Sequence, residues 1–130
     1  MGVLSVLAAA AGSWIFGAIW YMGLSKPWME AAGVECDENG KPKNRSATPF
    51  ILSAIAMIFV AGMMRHVFAE AAIAASGKGL LSGLGIGLFF ISPWIMINNA
   101  YAGRPFKLTL IDGGYATVGC AIIGLVLTLI

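Results

Sequence analysis

The chain has 130 residues, of which 59% are hydrophobic and only 11% charged, with a formal net charge of +2. A water-soluble domain carries about 25% charged residues, so this chain cannot clothe its surface in water, and so small a net charge gives no case for nucleic acid. Lipid is the solvent that fits the composition, and the length is that of one domain, 1–130.

The predicted elements begin with an apolar run over about 3–24. It carries no charged residue, and no Lys or Arg precedes it in Met1 to Ala11. A secretory leader has a basic segment ahead of its apolar stretch, so the run reads as a retained first span. A span needs about 20 apolar residues, and this one has them. Trp20, Tyr21 and Trp28 fit an aromatic belt at the membrane boundary, with Lys26 and Pro27 ending the helix.

Residues 25–48 form the one long polar segment, holding Lys26, Glu30, Glu35, Asp37, Glu38, Lys41, Lys43 and Arg45. Trp28 to Ala32 suits a short surface helix. Val34 to Glu38 suits either a small hairpin or an irregular loop, closed by a tight turn at Asn39-Gly40. Thr48-Pro49 predicts a helix start, with Thr as N-cap and Pro at the first helical position. The second span covers about 49–72, includes Arg65, His66 and Glu70, and projects beyond the hydrocarbon. Ser76-Gly77-Lys78-Gly79 is expected as the next turn. A third span over about 80–100 should kink at Pro93, which removes a backbone hydrogen bond. Gly103-Arg104-Pro105 turns the chain into a fourth span, about 107–130, which carries Asp112.

These elements predict an all-α membrane protein, a bundle of four transmembrane helices. The side of the first and third loops carries Lys26, Lys41, Lys43, Arg45, Arg104 and Lys107, while the other side carries Arg65 and Lys78. By the positive-inside rule, the loop 25–48 is cytoplasmic and both termini lie on the periplasmic side of a bacterial inner membrane. Cys36 and Cys120 fall at different depths, so no disulfide is expected. Neither belongs to a metal-binding pattern.

Small residues set contact faces between helices in lipid. Three stripes at four-residue spacing stand out: Ala9, Ser13 and Gly17; Gly83 and Gly87; and Ala116, Cys120, Gly124 and Thr128. They serve packing within the bundle or docking of a partner. The last stripe is expected to face outward, since no later span follows to cover it.

Two candidate sites emerge. Asp112 lies inside the fourth span, and intramembrane charges commonly mark ion or substrate paths. Asn98 and Asn99 should sit at similar depth across the short turn, with Tyr21, Arg104 and Tyr115 close by. The cluster reads as a site for an ion, proton or small ligand, or as a hydrogen-bonded clasp. His66 and Glu70 share a helix face and suit a proton carrier, a pigment or haem ligand, or an ordinary charged helix end; Gly62 one turn earlier leaves room for a ring. No catalytic triad, metalloprotease motif, phosphate loop or dinucleotide fingerprint is present, so no enzyme activity and no resident cofactor or metal is expected.

Two stretches carry a family resemblance. The first is Gly17-Ala18-Ile19-Trp20-Tyr21 with Lys26-Pro27-Trp28-Met29. The second runs from Arg104 through Asp112-Gly113-Gly114-Tyr115. With Pro93-Trp94 and Asn98-Asn99, they resemble the bacterial membrane family called domain of unknown function 1761. The resemblance spans nearly the whole chain. The sequence departs from it in the charged loop Glu35 to Arg45 and at Arg65-His66. It implies the four-span architecture and no activity. The leading expectation is a non-enzymatic accessory or assembly subunit, partnered by the lipid bilayer and by other membrane protein subunits. The alternatives are a small oligomeric transporter or channel using Asp112, Asn98 and Asn99, and a pigment- or haem-binding subunit through His66.

Overall fold

A computed structural model describes residues 2–40 and 47–130. The expectations for Lys41, Lys43 and Arg45 fall outside the described residues. The helices are α1 (Gly2–Gly23), α2 (Ser25–Ala32), α3 (Thr48–Glu70), α4 (Ser76–Ile86), α5 (Ser92–Tyr101) and α6 (Phe106–Leu129). A π-helical turn, Gly87–Ile91, fuses α4 and α5 into one span. Four helical spans of 22, 23, 26 and 24 residues result. At about 1.5 Å per residue each exceeds the roughly 30 Å hydrocarbon core. The chain is therefore a multi-pass membrane protein, with four apolar spans among the described residues.

Several boundaries differ from expectation for clear reasons. Lys26 and Pro27 do not end α1; they lie in the first turn of α2. There the backbone N–H that proline lacks has no intrahelical partner to lose. The break is at Leu24 instead, with φ −112° and ψ 22°. Gly33, at φ +74°, closes α2. Thr48 is inside α3, with Ala47 as its N-cap, so the start falls one residue before the expected one. The second span ends at Glu70 rather than projecting through Ala72. Ser76-Gly77-Lys78-Gly79 is the first turn of α4 and not a loop. The turn is made by residues 71–75, where Ala72 takes a left-handed φ of +56°. The turn at Asn39-Gly40 is present: the Gly40 amide donates to the Asp37 carbonyl (3.0 Å), and Gly40 has φ +75°.

The four spans are not equal members of the bundle. α6 is the central helix, with α1 on one side and the α4–α5 span on another, while α3 packs chiefly on α1. Of the most apolar window of each span, 39% is buried in α6 and 28% in α1. The figure is only 11% in α3 and in the α4–α5 span. The apolar core gathers Ala9, Ala10, Ala61, Met64, Phe68, Cys120 and Ile123. It occupies the half of the bundle nearer Gly2 and Leu129, here termed the terminal end. The opposite half, where α2 lies, is the loop end.

The α4–α6 seam explains the misplaced turn. Gly79, Gly83 and Gly87 repeat every four residues and face Ala116, Cys120, Gly124 and Thr128. A Cβ on Gly83 would collide with the Cys120 carbonyl oxygen, and one on Gly124 with the Gly79 carbonyl oxygen. Only glycine lets the two backbones meet. Each glycine inside a helix costs about 1 kcal/mol relative to alanine, and the close contact offsets it. The stripe Ala116, Cys120, Gly124, Thr128 is thus covered from within by α4. The expectation that it faces outward is overturned, because Gly79 extends the facing stripe by one more turn than the sequence reading allowed.

The third span is interrupted by the π turn, which ends two residues before Pro93. The Ser92 hydroxyl lies 2.7 Å from the Gly87 carbonyl and 3.1 Å from that of Gly113. It therefore satisfies a backbone acceptor at the irregularity and ties the π turn to α6. In lipid such acceptors need a partner from within the protein.

Candidate functional site

Asp112 lies about two turns into α6 at the loop end, half-buried. α1 delivers Tyr21 to it from its last turn, and α2 delivers Trp28. The Tyr21 hydroxyl donates to Asp112 Oδ1 at 2.7 Å, and the Trp28 indole N–H donates to the same oxygen at 3.2 Å. Next to it, the Trp20 indole N–H donates to the Ile111 carbonyl at 2.9 Å. That carbonyl belongs to the second turn of α6. The two stretches that carry the family resemblance therefore meet in space, through four side chains.

Aromatic rings surround the carboxylate. Tyr21 and Trp28 pack edge to face with centroids 5.9 Å apart, and Tyr21 and Tyr115 do so at 5.4 Å. Phe16 stacks on Tyr115 at 6.1 Å and tilts against Trp20 at 5.7 Å. Edge-to-face contacts of this kind are favoured by the ring quadrupoles. Glycines make the space. A Cβ on Gly17 would stand 2.8 Å from the Tyr115 ring, and one on Gly114 2.9 Å from the Trp20 ring.

Below Tyr21 the polar contacts continue into the bundle. The Tyr115 hydroxyl lies 3.4 Å from both the Ser13 carbonyl and the Met57 sulfur. The Ser13 hydroxyl points at that same sulfur, also at 3.4 Å. The sequence shows Ser13 only as a small packing residue and gives no signal for Met57. Trp28 was legible only as a belt residue, although its place within the family motif hinted at more.

The expected grouping of Asn98, Asn99 and Arg104 with Asp112 is not what forms. Asn98 and Arg104 are exposed. Asn99 turns to Thr109, its Nδ2 donating to Oγ1 at 3.2 Å. α5 and α6 are indeed antiparallel neighbours, but Asp112 looks toward α1 and α2 while α5 packs along a different face of α6. Tyr21 and Tyr115 do join the cluster. Ala9, Ser13 and Gly17 are buried on α1, Gly83 on α4, Gly87 at the start of the π turn, and Cys120 and Gly124 on α6. Ala116 faces Gly87.

His66 and Glu70 are exposed on α3, and a Cβ on Gly62 would meet open space. Among the described residues no group of three His, Cys, Asp or Glu side chains converges. Between α5 and α6 runs an open groove of about 460 Å³ whose walls include Leu88, Pro93, Met96 and Val118. It is apolar and does not include Asp112. The candidate site is thus an acidic side chain held by neutral donors beside a cluster of aromatic rings.

The family model described as "Protein of unknown function (DUF1761)" matches residues 4–128. No curated protein and no solved structure matches the chain significantly.

Proposed function

This chain belongs to the DUF1761 family, and we propose that it is a non-enzymatic membrane protein of the small-transporter type whose working group is the Asp112 carboxylate. One observation carries the reading. Asp112 sits within a span and, among the described residues, is held by the neutral donors of Tyr21 and Trp28. Among the described residues no cation pairs with it. A charge within a bilayer costs about 2.5–3.5 kcal/mol at the centre and less toward the edge. Neutral donors position the carboxylate and leave its charge available to a mobile cation. Tyr115, Ser13 and Met57 extend the polar contacts inward from it. In this reading the transporter works as an oligomer.

The reading includes a bacterial inner membrane with the loop end and Asp112 toward the cytoplasm, following the Lys and Arg count of the loops. Cys36 is exposed at the loop end and Cys120 is buried. Impermeant maleimide should label Cys36 only in opened cells, and labelling in intact cells reverses the orientation.

A second reading, an accessory subunit docked on a larger membrane complex, is favoured by the low burial of α3 and of the α4–α5 span. The stripe on α6 no longer supports it. Flux separates the two. Protein reconstituted in liposomes should speed methylammonium efflux, and folded Asp112→Asn should not. Equal flux from the variant, or none from folded wild type, would reject the transporter reading. A stable hetero-complex on native gels would then favour the accessory one.

A further inference from the structure

We propose that the cation accepted at Asp112 is a quaternary ammonium ion bearing alkyl or aryl groups, and not a bare metal ion. The proposal rests on the reading of Asp112 as a cation site and names its ligand class.

The donor set decides against a metal ion. Hard divalent cations take six or more oxygens in a defined geometry. Here the described residues offer one carboxylate, the Tyr21 phenol and no second acidic or amide side chain in contact. Softer metals are held by imidazole and thiolate, and no such group converges among the described residues. Dehydrating a small ion here would leave most of its coordination sphere empty.

The same surroundings suit an ammonium ion whose substituents are already apolar. Such a cation is weakly hydrated, and its charge spreads over carbon atoms that sit well on aromatic faces. Tyr21, Trp28 and Tyr115 cluster there in edge-to-face pairs, with Phe16 beyond them, and the cation uses the ring faces that these pairs leave uncovered. The carboxylate supplies the charge. Both hydrogen bonds to Asp112 converge on Oδ1, so Oδ2 accepts none from the described residues and is the oxygen assigned to the ligand. Tyr21 and Trp28 act as positioning residues: each fixes Oδ1 and presents a ring at the same place.

The test uses the purified full chain in detergent, with its own tryptophans as reporters. Benzyltrimethylammonium is titrated at constant ionic strength and should quench fluorescence saturably. Its uncharged carbon isostere, neopentylbenzene, should compete at least about tenfold more weakly, as should sodium and magnesium. Asp112→Asn keeps an acceptor at Oδ1 for Tyr21 and Trp28, so it should melt near the wild type while binding at least about tenfold more weakly. Trp28→Ala should weaken binding about fivefold, the worth of one ring face. Competition by neopentylbenzene equal to that of the ammonium would overturn the proposal. Tighter binding of magnesium or sodium, or wild-type affinity in a folded Asp112→Asn, would do the same. The competition arms use wild-type protein and stand even where a variant misfolds. Methylammonium flux without benzyltrimethylammonium binding keeps the transporter and sinks this ligand class. Binding without flux does the reverse.

Discussion

α6 meets its two neighbours in opposite ways. Against α4 the contact is backbone on backbone, with Gly79, Gly83 and Gly87 laid against the Ala116–Gly124 stripe. Against α1 the contact is made by large side chains, with Tyr115 lodged over Gly17 and Trp20 over Gly114. Glycine enables both, but for different reasons. On the first seam it removes any atom between two rigid backbones. On the second it opens a socket for a ring that can still shift. The first seam has no room for chemistry. The second gathers Tyr21, Trp28 and Tyr115 around Asp112, so function is sought there.

The sharpest way to break this comparison is to add the same methyl group on each seam. Gly83→Ala meets the Cys120 carbonyl, which cannot move alone, and should cost about 3 kcal/mol, the upper range for overpacking. Gly17→Ala meets the edge of the Tyr115 ring and should cost about 1 kcal/mol. Equilibrium unfolding in mixed micelles reads both, and equal losses would show the two seams to be alike. Gly124→Leu belongs with Gly83→Ala: it should unfold the α4–α6 seam, not spare the fold while loosening a partner.

Within the second seam, Asp112→Leu strands the donors of Tyr21 and Trp28 and should cost about 1–3 kcal/mol. Asp112→Asn keeps their acceptor and should cost under about 1 kcal/mol in the same assay. Identical losses from the two changes would mean the hydrogen bonds contribute nothing. Tyr115→Phe removes only long contacts of 3.4 Å and should cost about 0.5 kcal/mol or less. A larger loss would make the hydroxyl, and not the ring, the anchor of that seam.

The smallest effect lies outside both seams and sets the baseline. Ala72 holds a left-handed φ of +56°, which costs a non-glycine residue about 1–2 kcal/mol. Ala72→Gly relieves this but gains freedom when unfolded, about 0.4–1 kcal/mol. A net gain of about 0.5 kcal/mol should raise the melting midpoint slightly. A fall would mean that the alanine methyl packs usefully in the turn.

The four spans were legible because lipid imposes a length and disfavours charge; Val3 to Leu24 satisfies both, and Leu108 to Ile130 has the length with Asp112 as its one charge. Depth was legible too, which is why Tyr21 and Tyr115 were placed with Asp112. Azimuth was not. These helices are apolar almost all round, since lipid and neighbouring helix reward the same residues, so no periodic polar face tells where a helix points. Asn98 and Asn99 share a level with Asp112 and yet lie on a different side. Gly79 was read as part of a turn because glycine there signals a loop in water, while between membrane helices it signals contact. Trp28 lay in view as a belt residue, but its bond to Asp112 depends on α2 folding back over the bundle, which no local pattern encodes.

The central position of α6 has a consequence for the order of assembly. Spans enter the bilayer in chain order, and α6 is the fourth. Until it arrives, α1 and α3 can pair, but the glycine face of α4 has nothing to rest against and Tyr21 and Trp28 have no acceptor. The α4–α5 span must wait in lipid with its most permissive surface uncovered. The flanks share no extensive interface that could hold them together in the meantime. Most of the native packing therefore closes in one late step. Ribosome-held chains that stop before Phe106 should be degraded or captured far more readily than chains extended through α6.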